Sequence, residues 1–124
     1  MFTFVDSADD VIAVIGEHKI TGADLGAVMD RLDAALAKHD KVHVLVETHA
    51  IDGFELSGLA SYMKRALPLF GKLSRFGRVA VVADQAWIRA LTRLESAILP
   101  SISYRVFESA QRDEALAWVK GETA

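Results

Sequence analysis

Residues 2–6 alternate apolar and polar side chains, the two-residue period of a strand with one buried face. Residues 11–16 form a run rich in β-branched side chains, and the turn-prone Ser7-Ala8-Asp9-Asp10 separates the two segments. Together they predict an antiparallel hairpin at the N-terminus. The period then lengthens. Leu25, Val28, Met29, Leu32 and Leu36 recur at helical spacing, which predicts a helix ending near Lys38-His39. Its start is marked twice. Thr21 supplies a capping oxygen with Asp24 three residues on, the aspartate version of a capping box, and Ile20 and Leu25 hold the hydrophobic-staple positions.

Residues 42–47 read as a short strand, apolar at Val42, Val44, Leu45 and Val46. Residues 56–70 read as a helix that Pro68 must kink or restart, because proline lacks a backbone donor and clashes with the preceding turn. Residues 79–83 are uninterruptedly apolar, as in a strand covered on both faces. Asp84 is placed to cap the next helix, whose Trp87, Leu91, Leu94 and Ile98 make one stripe and which ends at Pro100. Residues 102–107 supply the last strand and 109–120 the last helix, stopped by Gly121. The order is β-β-α-β-α-β-α-β-α. It predicts an α/β domain with right-handed crossovers, a mostly parallel sheet of four to five strands with one antiparallel edge, and four helices. No linker or repeat interrupts it, so residues 1–124 read as a single domain.

Composition narrows the picture. A chain of 124 residues, 52% hydrophobic with a mean hydropathy of +0.23, is large enough to bury roughly two thirds of its unfolded surface. The absence of cysteine excludes disulfides and thiolate chemistry and suits a reducing compartment. The N-terminus lacks a basic leader, and no apolar run approaches the ~20 residues that span a bilayer. The expectation is a cytoplasmic protein with scope for peripheral contact at the inner face of the membrane. The net charge of −3 is unevenly spread: residues 1–55 carry −7, residues 56–107 carry +6, and residues 108–124 carry −2. No acid lies between Glu55 and Asp84. Such asymmetry suits an anionic partner, but an acidic chain without RNA- or DNA-binding motifs argues against nucleic acid.

Candidate chemistry is sparse. Neither phosphate-cradling glycine loop is present, nor H-E-x-x-H, nor G-x-S-x-G. His43 and His49 are six residues apart and share a face if their strand runs that far, yet zinc favours tighter pairs with further ligands, so no metal site is assigned. In a parallel sheet ligands gather beyond the carboxyl ends of the strands, where Glu47, Thr48, His49, Asp84 and Glu108 fall. Glu47 and His49 could form an acid–base pair, but loop polarity and helix caps account for the same residues. No catalytic residue, enzyme activity or cofactor is assigned.

The most informative stretch is 54–78. Counted at 100° per residue from Leu56, the residues Leu59, Ala60, Met63, Leu67 and Phe70 cluster within about 40° of it. Tyr62, Leu69, Leu73 and Phe76 make a second apolar set, and Lys64, Arg65 and Lys72 fall with Arg75 in the remaining arc. The apolar arc is roughly 200° wide, about twice what a surface helix needs. The second stripe either meets a neighbouring helix, or loses phase at Pro68 and Gly71, or holds an apolar small molecule or lipid. The candidate ligand set is Phe54, Tyr62, Met63, Leu69, Phe70, Leu73 and Phe76. Lys64, Arg65, Lys72, Arg75 and Arg78 would face the headgroups of an anionic membrane surface.

Three segments carry a family likeness. They are Glu17-His18-Lys19-Ile20-Thr21, the run Phe76-Gly77-Arg78-Val79-Ala80-Val81-Val82-Ala83-Asp84 followed by Trp87, and the closing Glu114-Ala115-Leu116-Ala117-Trp118-Val119. They resemble the SpoIIAA-like family, grouped with the STAS domains and likened to Sec14-type lipid carriers. The resemblance spans nearly the whole chain and implies a STAS-like fold without enzyme chemistry. Related anti-sigma-factor antagonists carry a phosphorylatable serine where the middle strand's loop enters the next helix. Ser57-Gly58-Leu59 is similar to their Ser-Gly-Leu, although Glu55-Leu56 stands where those proteins usually have Asp-Ser. Ser57 is thus a candidate phosphosite, although an ordinary N-cap is the preferred reading of a serine at a helix start. The expected function is a non-enzymatic STAS-like domain that binds an apolar ligand or lipid, with peripheral contact at an anionic membrane, through residues 54–78. The alternative is a regulatory module of the anti-sigma-factor-antagonist type for a protein partner or a second copy of the chain, with Ser57 as its switch.

Overall fold

The computed structural model describes residues 2–5, 8–54, 64, 75–86, 88–90, 92–93 and 102–121. Five strands form one sheet in the order β1 (Phe2–Val5), β2 (Val11–Ile20), β3 (Val42–Phe54), β4 (Phe76–Ala83), β5 (Ser103–Phe107). The hairpin forms as expected, with β1 antiparallel to β2 and Phe2 opposite Gly16. The other three pairings are parallel. The α/β class and the antiparallel edge are therefore as the sequence predicts.

Helix α1 (Gly22–Lys38) starts at the anticipated box. Asp24 donates its N–H to Thr21 Oγ1 at 3.2 Å, and Thr21 donates its own N–H to Asp24 Oδ2 at 2.9 Å. The same carboxylate accepts the Phe2 N–H at 3.2 Å, which ties the edge strand to the helix. Burial raises the Asp24 pKa, but the hydrogen bonds from Thr21 and Phe2 outweigh it and hold the carboxyl below its ordinary value. Helix α2 (Arg112–Lys120) follows a 3₁₀ turn at Ser109–Gln111 and ends at Gly121, whose φ of 83° is the left-handed C-cap conformation. The last expected helix is thus present, its first turn tightened. Residues 86, 88–90 and 92–93 are helical, as predicted after β4. The helix expected at 56–70 lies outside the described residues except for Lys64, which is helical and exposed.

Strand alternation sends side chains to two cores. On one face Ile12, Val42 and Phe76 pack with Met29, Leu32, Ala35 and Leu36 of α1. On the other, Val11, Ala13, Leu45, Ala80, Val82 and Phe107 pack with Ala115 and Val119 of α2. Each large aliphatic side chain so buried contributes about 1.5–3 kcal/mol.

Three expectations need correction. β3 runs to Phe54 instead of stopping near Glu47, because β2 continues alongside it and pairs Lys19 with Gly53 and Ile20 with Phe54. Between the Glu17–His49 and Lys19–Gly53 pairs the ladder is irregular, and His18 (φ 57°) and Ala50 (φ 48°) enter the left-handed region. Phe76, grouped in the sequence with a helical stripe, is instead the first residue of β4 and is 9% exposed in the α1-side core. Asp84 directs its carboxylate to Ser109 and not to the helical residues that follow it.

Gly77 is where β4 and β3 approach too closely for a side chain. A Cβ there would lie 2.2 Å from the Cε1 atom of His43. Gly77→Ala is expected to cost about 1–3 kcal/mol in urea unfolding through overpacking. Most of that loss should vanish in a His43→Ala background; an undiminished penalty there would place its cause elsewhere.

Candidate functional site

Among the described residues the carboxyl rim of the sheet carries a dense polar network. Glu47, inside β3, has a side chain 1% exposed. Isolated in that position an ionised carboxylate would be prohibitively costly. The first residue of α2 answers it: Arg112 Nε donates to Oε1 at 2.5 Å and Nη2 donates to Oε2. His49, two residues along β3 and hence on the same face, places Nε2 2.6 Å from Oε2. The hydrogen bonds from Arg112 hold the Glu47 carboxyl below its usual range against the opposing effect of burial, and His49 adds to them. Arg112 is correspondingly pushed up by Glu47.

Three further links lace this rim. Gln85 accepts the Ile51 N–H at 2.9 Å and donates to its carbonyl at 3.2 Å, joining the ends of β3 and β4. Arg89 donates to the carbonyls of Ala83 and Phe107 at 3.0 and 3.5 Å, joining β4 and β5. Asp84 accepts from the Ser109 hydroxyl at 2.6 Å and its N–H at 3.0 Å, and these bonds hold its carboxyl below its ordinary value. A carboxylate that orients an imidazole is one part of a hydrolytic triad, and the Glu47–His49 pair has that geometry. Both Glu47 oxygens, however, are taken by Arg112, so the carboxylate works as a clamp between β3 and α2.

The opposite rim holds the cations that the sequence assigned to a membrane surface. Arg75 donates through Nη2 to the carbonyls of Leu36 and His39 at 2.5 and 2.6 Å, and through Nε to that of Asp40 at 3.3 Å. Those are the end of α1 and the two residues that follow it. Arg78 donates through Nε to the Val119 carbonyl at 3.2 Å, near the end of α2. Helix C-termini leave carbonyls unpaired and carry partial negative charge, so a guanidinium satisfies both needs. The His43 ring lies beside Arg78, accepting its backbone N–H on Nδ1 at 2.9 Å, with Asp10 Oδ2 3.8 Å from Nε2. Burial, then the charge of Arg78, pushes the His43 pKa down, with Asp10 partly opposing.

Among the residues proposed from the sequence, Phe76 is in the core, Arg75 and Arg78 bind helix ends, and Lys64 is exposed. Phe54 ends β3. Ser57, Tyr62, Met63, Arg65, Leu69, Phe70, Lys72 and Leu73 lie outside the described residues. His43 and His49 do share a face of β3, His43 near its start and His49 past its middle. Among the described residues no three His, Asp or Glu side chains are grouped to hold a metal, and no helix is long and apolar enough to cross a membrane. The sequence reading missed the Arg112, Gln85 and Arg89 links. One signal was available for the first: a glutamate directly after Val44-Leu45-Val46 requires a cation.

A mixed five-stranded sheet with an N-terminal hairpin and α/β crossovers defines this as a STAS-like α/β domain. The SpoIIAA-like family model matches residues 11–120, and the chain belongs to that family. No curated protein matches it. Two solved structures share the fold. One is an uncharacterised protein with a SpoIIAA-like fold from Shewanella loihica PV-4, 23% identical, with a TM-score of 0.65 over 96% of this chain and 92% of that one. The other is the anti-sigma factor antagonist SpoIIAA in its unphosphorylated form, 11% identical, with a TM-score of 0.61 over 98% and 99%.

Arg112→Ala would leave Glu47 buried without its main donor, and a loss of about 1–3 kcal/mol at neutral pH is expected from urea unfolding. The folded-state pKa of Glu47 lies below its ordinary 4.5, so the clamp's contribution is complete above that pH and fades as pH falls through the folded value. Wild type and variant should therefore converge in acid. A gap independent of pH would show that the clamp is not its source.

Proposed function

We propose that this domain is a non-enzymatic regulatory module that binds a protein partner and is switched at Ser57. The observation that carries the reading is the length of β3. The strand continues to Phe54, three positions before Ser57 in the sequence, and α/β sheets meet their ligands beyond the carboxyl ends of their parallel strands. Membership of the SpoIIAA-like family and a fold shared with an anti-sigma factor antagonist support it. A phosphate on Ser57 adds about −1.5 to −2 charges close in sequence to Lys64 and Arg65, on a chain segment that otherwise lacks acids. The change in sign at a partner surface is the switch.

The lipid reading draws less from the geometry. Of its described residues, Phe76 is committed to the core, and Arg75 and Arg78 are committed to helix termini. Lys64 is exposed.

The test is quantitative affinity capture from the native cytosol with wild type, Ser57→Ala and Ser57→Asp, alongside co-sedimentation with neutral and anionic vesicles. Wild type and Ser57→Ala should retain one common partner that Ser57→Asp loses, with equal recovery on both vesicles. Identical captures from all three forms would sink the switch, and recovery rising with anionic lipid would return the membrane reading.

A further inference from the structure

We propose that the cleft between the N-terminal hairpin and α1 binds a small amphipathic carboxylate, one anionic group on an apolar body. The cleft has a volume of about 330 Å³, within the range of small-molecule sites. It lies away from the carboxyl rim, and it is independent of the regulatory reading.

The space follows from side-chain size. Where α1 passes the hairpin it presents Ala34 and Ala35, and the turn opposite presents Ala8. Short side chains on both walls leave a gap that Phe4 and Ile12 line from the sheet. This provides the apolar body's half of the site.

The charged half comes from Arg31 and Lys38. Seven residues apart on α1, they are two turns along one face, about 10 Å apart on the helix axis. The Arg31 guanidinium stacks over the Phe4 ring, 4.2 Å from its centroid. Stacking fixes the plane of the fork and leaves its N–H edge for in-plane hydrogen bonds, the geometry a carboxylate accepts. Arg75, Arg78, Arg89 and Arg112 each bind protein oxygens. Among the described residues neither Arg31 nor Lys38 has a carboxylate partner. These two cations, unlike those four, are available to a ligand. Among the described residues Asp9, on the turn, is the one acid lining the cleft. It disfavours a second anionic group on the ligand, which limits the class to monocarboxylates.

The experiment is titration of the labelled full chain with octanoate, followed by amide NMR, with octan-1-ol and acetate as controls for body and charge. Octanoate should give saturable shifts confined to β1, β2 and α1, with both controls binding about tenfold more weakly or less. Arg31→Gln should weaken octanoate about tenfold, and Ala34→Leu, which fills the space, should do the same while thermal stability holds. Both positions are exposed, so folding is preserved. Octan-1-ol binding as tightly as octanoate, unchanged affinity in both variants, or no saturable shift with octanoate would each overturn the proposal.

Discussion

A carboxylate buried inside a sheet is tolerable only where a cation meets it, and the meeting of Glu47 with Arg112 governs how the layers of this domain are placed. It fixes the start of α2 over β3 across 65 residues of chain. Arg78 fixes the other end of α2 through the Val119 carbonyl. Helix α1 is held in the same two-ended way, by Asp24 on the Phe2 N–H at its start and by Arg75 on carbonyls at its finish. Between these anchors the apolar stripes are short: Ala115 and Val119 on α2, and Met29, Leu32, Ala35 and Leu36 on α1. Polar contacts at the ends set position, and apolar burial between them supplies most of the free energy. The ion pair's main effect is the penalty on any arrangement that leaves Glu47 unmatched, since replacing such a pair by apolar residues is often neutral.

The sequence carried the architecture because its signals are local. Alternation in residues 2–6, the Thr21–Asp24 box and the Gly121 stop each act over a few residues, and each appears in the structure where it was read. What escaped was set by distance. The extension of β3 to Phe54 depends on β2 running beside it, and residues 48–53 (Thr-His-Ala-Ile-Asp-Gly) have no strand period of their own. Phe76 looked helical by angle because a stripe can be counted through a segment boundary; pairing with Val42 makes it a strand residue. The partners of Arg75 lie at 36, 39 and 40, and no spacing in the chain announces such a contact.

That difference changes the reading of charge. A basic stretch from Lys64 to Arg78 suggests an electrostatic surface when only composition is visible. In the fold, its two described arginines are structural cations that complete helix ends. Charge counted along a chain therefore overstates the field available to a partner, and the correction falls hardest on arginine, whose fork readily finds carbonyls. The regulatory reading is less exposed to this error. It depends on β3 ending at Phe54, three positions before Ser57 in the sequence, and a phosphate adds charge on top of whatever the neighbouring cations already bind.

The same criterion separates the hairpin cleft from the rest of the surface. Arg31 is held in place by an aromatic face, which orients a guanidinium without using its hydrogen-bond donors. Arg112 is held in place by a buried carboxylate, which uses them. One arrangement is complete within the molecule and the other is completed by an acceptor from outside. Where the described helix ends are met by guanidinium groups from within the molecule, few such incomplete sites are left, and this cleft combines cations that have no carboxylate partner with a volume bounded by alanines.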